Sequence, residues 1–190
     1  MGNIFVRSKL LLAAYRVLML SVFVYSVSFA ASAGTAMDNK DLAVGMRTLP
    51  LLTNKITGTA KVAIVYDPNS ATSKSEAGSI KAMIDGDFQA PGDLKLVSVM
   101  LPVGEAEHMA GSKIAIITSG LGRYYDIIGA TAAANGVLTM TTDLSCVKAN
   151  KCILGIVSDP SVDIYYSKPA ADATKISFTQ AFTMLVKQIE

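Results

Sequence analysis

Short apolar runs alternate with polar, turn-rich or helix-period stretches along most of the chain, and this alternation sets the predicted elements. Thr59 to Tyr66 (TAKVAIVY) is rich in β-formers. Its nearly continuous apolar stretch, Val62 to Tyr66, predicts a strand buried on both faces. Asp67-Pro68-Asn69-Ser70 ends it. Ser73 followed three residues later by Glu76 resembles a capping box and predicts a helix from about Lys74 to Ile84, with Ile80, Met83 and Ile84 on one face. After a loop over Gly86 to Gly92, the alternating Leu94 to Leu101 (LKLVSVML) predicts a second strand. Glu105 to Ala110 suits a short helix, and Lys113 to Thr118 (KIAIIT) a third strand. Ser119-Gly120-Leu121-Gly122 reads as a turn. A helix over Arg123 to Asn135 follows, ended by Asn135-Gly136, and then a fourth strand over Val137 to Thr141.

The flanks fill in the pattern. Upstream, Leu42, Met46, Leu49 and Leu52 predict a short helix within Asp41 to Asn54, bent near Pro50. Downstream, Cys146 to Cys152 makes a tight connection. Ile153 to Val157 and Val162 to Tyr166, split by Asp159-Pro160, read as a hairpin, and Pro169 to Ala173 as a short helix. Phe178, Phe182, Leu185 and Ile189 place one apolar face on a final amphipathic helix, Ser177 to Ile189. Strand–helix alternation through residue 141 predicts an α/β fold: a three-layer sandwich with a mainly parallel central sheet and a C-terminal hairpin strand.

The first 33 residues read as a cleavable secretory signal peptide. Arg7, Lys9 and Arg16 form a basic front, Val17 to Val27 is apolar apart from Ser21 and Ser26, and Ala31-Ser32-Ala33 fits a small-residue cleavage site. The cut is placed after Ala33, with Ala30 and Ala36 as alternatives. An uncleaved anchor is the competing reading, but the unbroken apolar run is only about half of the ~20 residues a membrane span needs. Residues 34–40 are small or polar and read as a flexible leader, leaving 41–190 as a single α/β domain.

Cleavage changes the charge. The chain has 17 basic and 15 acidic residues. Without the three basic residues of 1–33, 14 remain against 15, a net of −1. No basic stripe survives, so nucleic acid is not an expected partner. Secretion also places Cys146 and Cys152 in an oxidising compartment, the periplasm in a Gram-negative cell, where they read as a disulfide. A metal site is the poorer alternative, because the chain has one His and no further soft ligand near the pair.

Ligands of open parallel sheets bind at the carboxyl ends of the strands. Three predicted loops leave such ends and supply Asp67, Asn69 and Ser70, then Ser119, Gly120 and Gly122, then Asp143. The first two precede helices, whose N–H groups suit an anion. The competing reading gives Asp67, Asn69 and Ser73 to turns and caps, and the glycines to a tight turn. Thr118 to Gly122 lacks the Lys of a phosphate-binding P-loop. Arg123, Tyr124 and Tyr125 follow the turn and suit either ligand contact or packing. Catalytic sets are poor: His108 is the sole His, no G-x-S-x-G elbow occurs, and Glu105/Glu107 and Asp85/Asp87 look like solvated faces. A non-enzymatic role without metal or cofactor is therefore expected.

Several segments together resemble the YfiR family of small periplasmic proteins. They are Val65-Tyr66-Asp67-Pro68, KIAIIT, Gly136 to Asp143 (GVLTMTTD), the cysteine pair, Val162-Asp163-Ile164, and Ala170-Ala171 with Ile176 and Phe178. The chain has Leu49-Pro50 where typical members carry Trp-Pro, and Cys146 to Cys152 replaces their glycine-rich hairpin. The resemblance implies a regulator that acts by contact on an inner-membrane sensor protein, such as a diguanylate cyclase or a kinase, with disulfide redox state tuning the activity. The same strand-end pattern also resembles one lobe of the ABC-type periplasmic substrate-binding proteins, which implies small-ligand capture.

Overall fold

In a computed structural model, residues 34–86 and 88–189 are described. The signal-peptide reading of 1–33 lies outside them. Seven strands form one sheet in the order β2-β1-β3-β4-β5-β6-β7. They are β1 (Thr59–Tyr66), β2 (Lys95–Pro102), β3 (Ile114–Ile117), β4 (Leu138–Thr141), β5 (Leu154–Val157), β6 (Asp163–Ser167) and β7 (Lys187–Ile189). The pairs from β2 through β5 are parallel; β6 runs antiparallel to β5, and β7 parallel to β6. The helices are α1 (Asn39–Met46), α2 (Ala71–Asp85), α3 (Tyr125–Asn135), α4 (Leu144–Lys148), α5 (Lys168–Thr174) and α6 (Gln180–Thr183).

The two-residue period of a strand sends alternate side chains to opposite faces, and both faces are covered. Val62, Ile64, Ile114 and Ile116 join a core with Leu42 and Met46 of α1, Ile80 and Ile84 of α2, and Phe182 of α6. Their neighbours Ala63, Val65, Ala115 and Ile117 join a second core with Met109, Leu121, Ile128 of α3 and Val147 of α4. These layers are the predicted three-layer sandwich. Helix α3 ends as the sequence indicates: Gly136 caps it with φ 62, a left-handed conformation that costs glycine little.

Cys146 on α4 and Cys152 ahead of β5 form a disulfide with Cα atoms 5.3 Å apart. Both are fully buried in the second core. Gly155 lets α4 lie close on β5, since a Cβ there would stand 2.6 Å from Leu144 Cδ2. Closing so short a loop stabilises the fold by about 2 kcal/mol through restriction of the unfolded chain. The Cys152→Ser variant is expected to lose about that much in urea denaturation. Mild reductants are expected to leave the native bond intact, because no sulfur is exposed.

Three local expectations are corrected. Ser177 to Ile189 is not one helix. After the single turn α6, the chain extends into β7, and Met184 and Leu185 are exposed. Phe178 and Phe182 do share a face, stacked at 4.0 Å and each edge-on to Tyr166. Beyond them, pairing with the otherwise open edge of β6 satisfies more backbone than a short, half-packed helix would. Second, residues 34–40 are not a loose leader. Met37 is buried, and Asp38 caps α1 in a reciprocal box with Asp41. Third, α2 begins earlier than predicted, at Ala71, with Ser70 as its cap. That frees Ser73 and Glu76 for the site.

Candidate functional site

The chain leaves β1 through α2 on one face of the sheet to reach β2. It then crosses by the 3-10 segment Val103–Met109, which packs in the second core, to reach β3 on the other side of β1. This reversal of strand order falls between the carboxyl ends of β1 and β3, the usual place for a ligand crevice in such sheets. The loops over Asp67 to Ser70 and Ser119 to Gly122 border it, as the sequence indicates.

Polar side chains fill its base. The Asp67 N–H donates to Ser73 Oγ at 2.9 Å, and Ser73 Oγ lies 2.7 Å from Thr118 Oγ1. Thr118 Oγ1 in turn donates to the Val65 carbonyl at 3.0 Å. Asp67 is itself buried. Its Oδ1 accepts from the Asn69 N–H, and its Oδ2 pairs with Arg123 Nη2 at 2.7 Å. The Arg123 side chain is 65% exposed and lies over the Tyr124 ring, 4.7 Å from its centroid. A cation on an aromatic face, held by one carboxylate and open to solvent, is a ready partner for an anionic group.

Glu76 is the residue that sequence reasoning misplaced. Instead of capping α2, its buried carboxylate joins three parts of the chain. Oε2 accepts from the N–H and hydroxyl of Ser119 at 2.9 and 2.6 Å, and Oε1 from the Met37 N–H at 3.1 Å. The partners lie 43 and 39 positions away, so only the buried end of a polar helix face could have marked the residue.

Asp143 sits at the end of β4 and is fully engaged. Its Oδ2 accepts from Tyr125 at 2.6 Å, and its Oδ1 accepts from the N–H and hydroxyl of Ser145. Burial, and then the nearby Asp143 carboxylate, push the Tyr125 hydroxyl well above its ordinary pKa, so it stays a donor. Asp143 thus serves as the cap of α4 and the anchor of α3. The segment before α1 lies against the same end of the sheet: Thr142 donates to the Thr35 carbonyl, and a Cβ on Gly34 would come within 2.8 Å of Asp143 Cα. Of the seven candidate residues, Asn69, Gly120 and Gly122 are exposed and Ser70 is half-buried. Asp67, Ser119 and Asp143 are buried and hydrogen-bonded within the protein.

Among the described residues, no group of three His, Cys, Asp or Glu side chains is placed to hold a metal ion. His108 pairs only with exposed Glu105, at 3.6 Å. No helix among the described residues is long and apolar enough to cross a membrane.

No family model and no curated protein matches the chain. Solved structures do. A ligand-free, open substrate-binding protein with adhesive properties from Clostridium difficile superposes with a TM-score of 0.59 at 11% identity, over 83% of this chain and 61% of that one. An ABC domain in complex with L-Trp from Streptococcus pneumonia gives 0.57 at 10%, over 78% and 60%. A conserved domain protein from Vibrio cholerae gives 0.54 at 15%, over 82% and 62%. The likeness is one of fold, and the chain spans about 60% of the length of these proteins. It agrees with the resemblance to one lobe of a substrate-binding protein and lends nothing to the YfiR-like reading.

Proposed function

We propose that this protein is a non-enzymatic binding protein that captures a small organic ligand carrying a carboxylate at the β1/β3 crevice. The observation that carries the reading is Arg123, solvent-open on the Tyr124 face and held by buried Asp67 at the reversal of strand order. The ligand carboxylate pairs with the guanidinium and meets the N-terminal end of α2, a 15-residue helix that begins directly after the β1 loop. Asn69, Ser70 and the Gly120–Gly122 turn supply polar contacts from both loops. The fold shared with a substrate-binding protein and with an ABC domain in complex with L-Trp supports the same reading. So does the resemblance to a periplasmic lobe, which supports a location outside the cytoplasm.

A thermal-shift panel of amino acids, small organic acids and phosphate tests it. At least one carboxylate is expected to raise the melting temperature, and Arg123→Ala to weaken its binding about tenfold, roughly the loss of one charge-assisted contact. A flat melting temperature across the panel would leave the proposal without support.

A further inference from the structure

A hollow of about 590 Å³ opens at the amino edge of the sheet, where β1, β3 and β4 begin. It shares no residue with the crevice. Leu52 pairs antiparallel with Phe178, and the Thr53 N–H donates to the Ser177 carbonyl at 2.9 Å, which ties together two of the segments that line it. Buried Leu52 and Leu138, with half-buried Ile56 and Ile176, give the hollow apolar patches among polar neighbours such as Asn54 and Thr57.

Its charge has one sign. Lys55, Lys113 and Lys175 line it from three separate segments, and no acidic residue does. The ion pairs among the described residues use none of the three. Lys175 is also held at φ 58 as the cap of α5, a left-handed position that ordinarily falls to Gly or Asn. A strained backbone thus presents one of the three ammonium groups. Volume in the range of small-molecule sites, a half-apolar lining and cations free of ion pairs define a ligand class. We infer that this hollow is a second binding site, for an organic anion with an apolar body, such as an aromatic or aliphatic carboxylate or sulfonate.

The probe anilinonaphthalene sulfonate, an aromatic anion, tests this on the full chain by fluorescence titration. Saturable binding at one site is expected, weakening severalfold between 50 and 500 mM salt as charges are screened (the Debye length shrinks from roughly 14 Å to about 4 Å over this range). Lys55→Gln combined with Lys113→Gln and Lys175→Gln is expected to weaken binding at least tenfold and to abolish the salt dependence. Ala134→Trp, which fills the hollow from the exposed end of α3 without changing charge, is expected to block the probe while the melting temperature stays within a few degrees. Unchanged affinity in both variants, or no saturable binding to the native chain, would overturn the inference.

Discussion

Replacing Glu76 by Ala is expected to destabilise the protein by about 3 kcal/mol, because it strands three donors at the crevice. The Met37 N–H, the Ser119 N–H and the Ser119 hydroxyl all bond to this one buried carboxylate. Each donor left unsatisfied in a buried setting costs about 1–3 kcal/mol, and partial rehydration at the sheet end recovers some of that. Glu76→Gln is expected to cost less, since its amide oxygen can still accept from one side. The two variants therefore differ in a diagnostic way: in urea denaturation, Ala shifts the midpoint more than Gln. In hydrogen exchange, the Met37 and Ser119 amides lose protection in both, while those of β5 and β6 keep theirs. Equal stability of the Ala variant and the native chain would mean that the carboxylate does not hold the N-terminal segment to the β3 loop.

Phe182→Ala is expected to cost about 4 kcal/mol, the middle of the range for a buried aromatic residue. The ring is essentially inaccessible, stacks on Phe178 at 4.0 Å and meets Tyr166 edge-on at 5.5 Å. Its loss opens a cavity between α6 and the sheet and removes two aromatic contacts at once. Leu185→Ala, by contrast, is expected to change stability by less than about 0.5 kcal/mol, because an exposed side chain loses little on truncation. A continuous amphipathic helix over Ser177 to Ile189 would bury both residues and make both substitutions costly. The contrast, read by thermal unfolding, separates the two conformations of the C-terminal segment.

That segment shows where local pattern stops being informative. Phe178, Phe182, Leu185 and Ile189 repeat at helical spacing, yet only Phe182 lies in a helix, and Phe178 reaches it from a β-bridge with Leu52. The rest of the segment answers to the open edge of β6, a tertiary feature invisible at 185–189. The same holds for Ser73 and Glu76. Their spacing matches a capping box, but a cap lies three residues earlier at Ser70, and the carboxylate is drawn to donors about 40 positions away. Where the physics is local, pattern and structure agree. The continuous apolar runs of β1 and β3 require cover on both faces and receive it, and Asn135-Gly136 ends α3 in the left-handed turn glycine favours. The strand-end loops were also legible, because strand–helix alternation fixes which ends carry loops into helices. What the alternation did not reveal was how fully those loops bond to themselves: Asp143 and Ser119 hydrogen-bond within the protein, and Arg123 is a polar group that faces outward.

Chemical-shift mapping of the isotope-labelled protein, titrated with the carboxylate that raises the melting temperature most, tests the crevice most directly. Saturable shifts concentrated at Asp67 to Ser70 and Ser119 to Tyr124, and abolished by Arg123→Ala, are the expected result. Shifts confined to the amino edge around Lys113 and Lys175, or spread without saturation, would contradict a binding site at the β1/β3 crevice.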